Sequence, residues 1–274
     1  MFSKLRQEIS FKDIDQLQKK IEFCLGNSIY KINIPCKGNI KKDFLIDVVK
    51  FIGKNYKNLD VIYHYSFYHQ YYRNKKFSYD KFLNFIELNK KYNNNNEILI
   101  VSGSQKRKEF EVLSVLKDLK SDLRTRPKFG IAYNPYFSNK FEYKNERNRL
   151  LSKLDSEFID SIWLQFGSEI NYLKRELSFL KKINFISDQK IDIGKKLYGS
   201  IFIPSKQFLA RFKFRPWRGV FLSNDFLNSL EYSCLTTKEI YKIYCQNNIT
   251  PLIETECSNI KQFNQVENLL EDDF

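Results

Sequence analysis

The feature that most constrains this chain is a regular alternation of short β-branched or aromatic runs with longer segments of helical periodicity. It repeats about eight times from end to end. Strands are expected at 4–11, 28–35, 59–67, 96–103, 128–135, 159–166, 196–204 and 249–255. Between them lie helical patterns such as "DIDQLQKKIEFCL", "KKDFLIDVVKFIGKNY" and "SEINYLKRELSFLKKI". The stretch "SYDKFLNFIELNKKY" reads as a helix opened by a serine cap at Ser78. After the seventh strand come helical pieces containing "SKQFLARF", "SNDFLNSLEY" and "TTKEIYKIYCQNN", and "CSNIKQFNQVENLLED" ends the chain.

A strand followed by a helix, over and over, can bury its apolar faces only around a parallel sheet. Eight such units in 274 residues imply an α/β fold of the closed (β/α)8 TIM-barrel type, one domain over 1–274. The structural alternative is a doubly wound open sheet, which has fewer strands and a glycine-rich first turn. Neither GxGxxG nor GxxxxGK[ST] occurs. The asparagine run 93–96 reads as a helix-to-strand loop rather than a linker.

Composition narrows the setting. Hydrophobic residues at 42% and charged residues at 28% are globular values, and no run of about 18 apolar residues suggests a membrane span. The start "MFSKLRQEISF" lacks a signal-peptide pattern. Cys24, Cys36, Cys234, Cys245 and Cys257 are scattered without CxxC spacing, which points to reduced thiols in a cytoplasmic protein and to no metal site. The formal charge of +14 invites polyanions, with "NKK" at 74–76 and "QKRK" at 105–108 the densest basic clusters. Lysines are nevertheless spread evenly and accompany Asn and Ile, the mark of a composition bias. With no RNP-like, zinc-finger or basic-arm motif, a nucleic-acid partner is not expected.

In a barrel of this type ligands sit at the C-terminal strand ends. The polar residues there are Glu8, His64, Ser102, Ser104, Asn134 and Gln165. A strand-ending glutamine both donates and accepts, so Gln165 suits the edge of a heterocycle, or else is a satisfied structural amide. On the helix before it, Glu146, Arg149 and Lys153 fall at i, i+3 and i+7 on one face. A salt-bridged solvated face is the ordinary reading of that spacing. A carboxylate for ribose hydroxyls beside a cation for a pyrophosphate is the sharper one.

The run "ERNRLLSKLD" followed by "DSIWLQF" resembles the methylenetetrahydrofolate reductase family, whose helix E-x-x-R-L-x-x-K-x-D-A-G-A-D leads into a strand ending T-Q-x-F. In order along the chain, "VIYHYSF", "ILIVSGS", "FGIAYNPYF" and "GSIFIPSKQF" look like the third, fourth, fifth and seventh strands of that family, over about 30 to 210. The resemblance implies an FAD flavoenzyme that passes a hydride to 5,10-methylenetetrahydrofolate and is reloaded by NAD(P)H. It implies Glu146, Arg149 and Lys153 at the FAD ribose and phosphates, and Pro35, His64, Ser102, Gly103, Ser104 and Ala132 along the cofactor. Gln165 would contact the folate pterin, and Glu8 would be the catalytic acid. A homo-oligomer is compatible with it.

Departures from the family pattern are equally specific. "SEFID" replaces the AGAD turn, Leu164 the threonine, and no E-x-x-P-P follows Glu8. Ser104 stands where the family has an aspartate close to the flavin, and a hydroxyl cannot supply that charge. The segment "RFKFRPWRGVFLSNDF" is also unlike the family; Arg215, Trp217 and Arg218 there form either a cation–π or anion-binding element or a packed loop. Besides the enzyme, these departures leave open a flavin- or folate-binding accessory paralogue.

Overall fold

Each of the eight expected strands forms, each pairs in parallel with the next, and the last returns to the first. The computed structural model describes residues 5–37, 42–103, 110–119, 127–185 and 196–270, without the side chains of 184 and 185. The strands are β1 (Arg6–Glu8), β2 (Lys31–Ile34), β3 (Asp60–Ser66), β4 (Glu97–Val101), β5 (Lys128–Tyr133), β6 (Ile159–Leu164), β7 (Lys196–Ile201) and β8 (Thr250–Ile253). Between them run α1 (Ile14–Gly26), α2 (Phe44–Asn55), α3 (Lys75–Tyr92), α4 (Val112–Asp118), α5 (Lys140–Leu154) and α6 (Ile170–Phe185). Three helices, α7 (Lys206–Phe214), α8 (Asn224–Asn228) and α9 (Leu230–Gln246), fill the link from β7 to β8, and α10 (Ile260–Leu270) ends the described chain. The fold is therefore the closed (β/α)8 barrel that the alternation implied.

Strand periodicity sorts the core into two separate layers. Outward residues such as Ile32, Ile34, Val61, Tyr63, Ile98, Ile100, Phe129 and Ile131 pack under the helices in one large cluster. Inward residues Ile62, Leu99, Trp163, Tyr198 and Leu252 make a second, smaller cluster inside the barrel. Trp163 stacks on Tyr198 with ring centroids 3.9 Å apart and planes 13° from parallel. Room for the indole comes from Gly130 on the neighbouring strand, where an added Cβ would lie 2.2 Å from Trp163 Nε1.

Below this layer the lumen is polar and closed by Arg6, which is buried. Its guanidinium donates to Asn33 Oδ1 (2.7 Å), Asp60 Oδ2 (2.9 Å), the Ile32 carbonyl (2.8 Å) and the Asp60 carbonyl (2.9 Å). A buried charge is tolerated when donors and counter-charge are met together, as here. On the opposite side of the floor Ser161 Oγ donates to the buried carboxyl of Glu97 and accepts from Trp163 Nε1.

Local chemistry corrects two boundaries. The third helix is not opened by Ser78: it starts at Lys75, and Asn74 caps it by accepting from the Phe77 N–H (2.9 Å). Ser78 sits inside the first turn and back-bonds to the Asn74 carbonyl (2.7 Å), a use that leaves its hydroxyl free to accept from Tyr72 N–H (2.9 Å). "SNDFLNSLEY" and "TTKEIYKIYCQNN" divide differently from their sequence pattern, because Ser229 caps a second start and α9 then runs unbroken to Gln246.

Candidate functional site

A hollow of about 530 Å³ opens at the C-terminal end of the barrel, above the Trp163–Tyr198 layer. Its wall is drawn from the tips of all eight strands: Glu8, Pro35, Cys36 and Lys37, His64, Leu99 and Val101, Ala132, Trp163 to Gln165, Ser200 and Phe202, Leu252 and Glu254. Trp217 closes the rim. It reaches there because it packs edge-on to Phe202 (5.0 Å), Phe208 (5.7 Å) and Phe212 (5.8 Å). The loop is tied down where Asn134 Nδ2 donates to the Gly219 carbonyl (2.8 Å) and Ser223 N–H to Ser168 Oγ (2.7 Å). Of the two readings left open for 215–218, Trp217 thus belongs to a packed loop that also faces the hollow.

One hydrogen-bond chain runs from the floor into this site and fixes a proton. Arginine can only donate, so Asn33 must turn its oxygen to Arg6 and its amide NH2 to His64. Asn33 Nδ2 lies 2.8 Å from His64 Nε2, which therefore accepts. The ring proton then resides on Nδ1, the nitrogen 4.0 Å from Glu8 Oε2. Burial pushes His64 down to about 4, outweighing the pull of Glu8, so the ring is neutral at physiological pH. Glu8 is itself buried, and its Oε1 meets Lys37 Nζ at 2.9 Å. Glu254, at the tip of β8, lines the same hollow; burial and then the nearby Glu8 push it up to about 8.

The residues singled out by sequence divide into two groups. Glu8, Pro35, His64, Ala132 and Gln165 come together on the wall of the hollow. Gln165 lies one residue past β6, where its N–H still extends the ladder to the Tyr133 carbonyl (2.8 Å) and its Oε1 accepts from Phe166 N–H (3.1 Å). Glu146, Arg149 and Lys153 sit instead on the α5 face behind β5. Glu146 accepts from Arg149 Nε (2.9 Å) and from the Asn134 N–H (3.2 Å), so its acidity serves to hold the β5 tip. Lys153 Nζ donates to the Ala132 carbonyl (3.0 Å), which puts its ammonium directly behind a residue of the hollow. Ser102 and Gly103 end β4 without lining the hollow: Ser102 Oγ accepts from Val112 N–H (3.3 Å), and Gly103 is pressed against Ser66 and Tyr68 at φ 90°. Ser104 lies outside the described residues.

Sequence reasoning missed Asn33, Lys37, Trp163, Ser200 and Glu254. The signal was available in the strand phase: Trp163 stands two residues before Gln165, and Glu254 two after Leu252. Cross-strand pairing, an ion pair for Lys37 and hydrogen bonds for Asn33, has no such local signal.

The donor set fits a flat heteroaromatic ring. Trp163, Phe202, Trp217, Leu99, Val101 and Leu252 offer apolar faces, while Glu8, Gln165, Ser200 and Glu254 offer polar edges. Small Ala132 leaves β5 open beside the Trp163 indole, and the Lys153 ammonium lies behind it on the Ala132 carbonyl. Among the described residues no group of three or more His, Cys, Asp and Glu side chains could hold a metal ion. All five cysteines are free thiols, and no described helix is long and apolar enough to cross a membrane. Compared with known proteins, the chain matches no family model, and no curated protein is significantly similar to it.

Proposed function

We propose that this barrel is a methylenetetrahydrofolate reductase-like flavoenzyme of the cytoplasm, with FAD as cofactor, NAD(P)H as reductant and a folate as substrate. The observation that carries the reading is the set of side chains that meet in one hollow. Glu8, Pro35, His64, Ala132 and Gln165, from five different strands, share one hollow. A closed barrel brings every strand tip to one mouth, so the support lies in what these tips carry: a carboxyl, an imidazole and a primary amide beside an aromatic wall.

Bound flavin would supply the hydride. The chain's own residues do the rest. Neutral His64, with its proton on Nδ1, presents a hydrogen-bond donor without adding charge to the pocket. Gln165 orients the pterin edge through its amide, and the carboxyls at the β1 and β8 tips handle the proton needed to open the one-carbon bridge. Trp217 and Phe202 cover the rim and limit water at the reacting carbon. Lys153 would supply the positive charge for the cofactor diphosphate. Glu146 and Arg149, bonded to each other, act on the cofactor only by shaping that face.

The test is spectroscopic. Purified protein is expected to be yellow, or to bind added FAD with quenching of Trp163 and Trp217 fluorescence. A colourless chain that ignores FAD in equilibrium dialysis removes the reading. A second reading, an accessory paralogue that binds flavin or folate without turnover, is favoured by the serine at 104 and by the Lys37–Glu8 ion pair. Flavin binding with no NAD(P)H–menadione turnover selects it.

A further inference from the structure

Two carboxyl groups face the hollow, and the geometry gives them different surroundings. Glu8 has a counter-ion: Lys37 Nζ at 2.9 Å from Oε1, with the His64 Nδ1–H side 4.0 Å from Oε2. Glu254 has none in contact among the described residues; it is held by the Ser200 hydroxyl, and Tyr244 of α9 packs near it. Both lie on one wall, because β1 and β8 are adjacent strands and Gln7 pairs with Ile253, each the residue next to a carboxyl. Two close carboxyls in a partly dry pocket cannot both be ionised at little cost. The ammonium decides which one keeps the proton.

We propose that Glu254 is the proton donor of this site, and that Glu8, committed to Lys37, is the fixed negative charge beside it. The chemical part rests on the reductase reading above. The Glu254 O–H bond breaks and its proton goes to the ring nitrogen that leaves the one-carbon bridge. The electron pair of that C–N bond stays on the leaving nitrogen, and the lone pair of the other nitrogen forms the C=N bond. A substrate cation and a Glu254 carboxylate appear together, so two carboxylates then face the new positive charge. Burial, then proximity to Glu8, already pushes Glu254 up to about 8, with Ser200 and Lys37 opposing. Its proton is therefore in place at neutral pH.

The experiment uses isotope-edited infrared spectra of the full chain, with labelled glutamate, in wild type and three variants. A protonated-carboxyl band is expected near neutrality, absent in Glu254→Gln and fading in wild type as pH rises through about 8. Its midpoint should fall in Glu8→Gln, which removes a like charge, and rise in Lys37→Met, which removes an opposing one. Should Glu254→Gln fail to fold, the opposed shifts in the other two variants still decide. No such band at neutral pH, or a band lost in Glu8→Gln but kept in Glu254→Gln, overturns the assignment. With flavin bound, Glu254→Gln is expected to slow transfer to the folate about 100-fold, far more than it slows oxidation of the nicotinamide. Equal slowing of both half-reactions also overturns it. Failure to bind flavin sinks the reductase reading alone, since the infrared titration does not need it.

Discussion

His64 and Glu254 are largely enclosed titratable groups in one pocket, and they tilt the stability of the protein with pH in opposite senses. His64 holds its proton less well when folded, with a value near 4 against 6.5 unfolded. Between those values the unfolded chain binds more protons, so stability rises with pH across that window, by at most about 3 kcal/mol. Glu254 holds its proton better when folded, near 8 against 4.5. There the folded chain binds more protons, so stability falls as pH rises from about 4.5 to 8. Urea unfolding as a function of pH should therefore show His64→Gln making the slope more negative between about 4 and 6.5, and Glu254→Gln making it more positive between about 4.5 and 8. An unchanged slope from about 4.5 to 8 in Glu254→Gln would remove the protonated carboxyl. The tautomer of His64 is open to the same scrutiny: nitrogen NMR is expected to report a neutral ring with its proton on Nδ1. Replacing Asn33 by Leu, which deletes the donor to Nε2, should release that tautomer.

Strand phase explains what elements reveal before any coordinates exist. A period of two with apolar residues on the outer face makes each strand visible in sequence, and the same phase aims Glu8, His64 and Gln165 inward. Helix ends are less visible because several capping residues compete. Asn74 and Ser78 both precede a helical pattern, and the Phe77 N–H decides between them by donating to Asn74, while Ser78 accepts from the Tyr72 N–H. The ion-pair partners of α5 were ambiguous for a related reason: i, i+3 spacing serves a ligand and a neighbouring arginine equally well, and here Arg149 takes Glu146. Lumen packing adds a constraint that no periodicity carries. Gly130 on β5 exists to admit the Trp163 indole from β6, with Ser161 Oγ only 2.7 Å from an added Cβ. Gly130→Ala should therefore cost about 1–3 kcal/mol through overpacking, and shift Trp emission as the indole leaves Tyr198. Wild-type stability with an unmoved emission maximum would mean that the stack tolerates displacement.

At the scale of the whole molecule the decisive event is closure of the barrel, since β1 is only three residues long and must meet a strand from the far end of the chain. Two register pairs, Arg6 with Leu252 and Gln7 with Ile253, make the seam. So short a ladder needs reinforcement, and side chains provide it. Buried Gln7 directs its amide nitrogen at three carbonyls, Glu8 (2.9 Å), Ile253 (3.1 Å) and Thr255 (2.8 Å), while Lys20 of α1 pairs with Glu256 beyond β8 at 2.5 Å. The two carboxyl-bearing tips stay side by side because this clasp holds their strands in register. Gln7→Leu keeps the volume but strands those carbonyls without a donor, a loss of about 1–3 kcal/mol. Its signature should be local. Hydrogen exchange is expected to quicken in β1 and β8 while β4, β5 and β6, on the side of the barrel away from the seam, keep their protection. Uniform quickening around all eight strands would mean that the barrel opens as one cooperative unit and that its seam is no weaker than the rest. Because the seam also sets the separation of Glu8 and Glu254, the same variant should move the carboxyl titration midpoint, linking closure of the fold to the chemistry at its mouth.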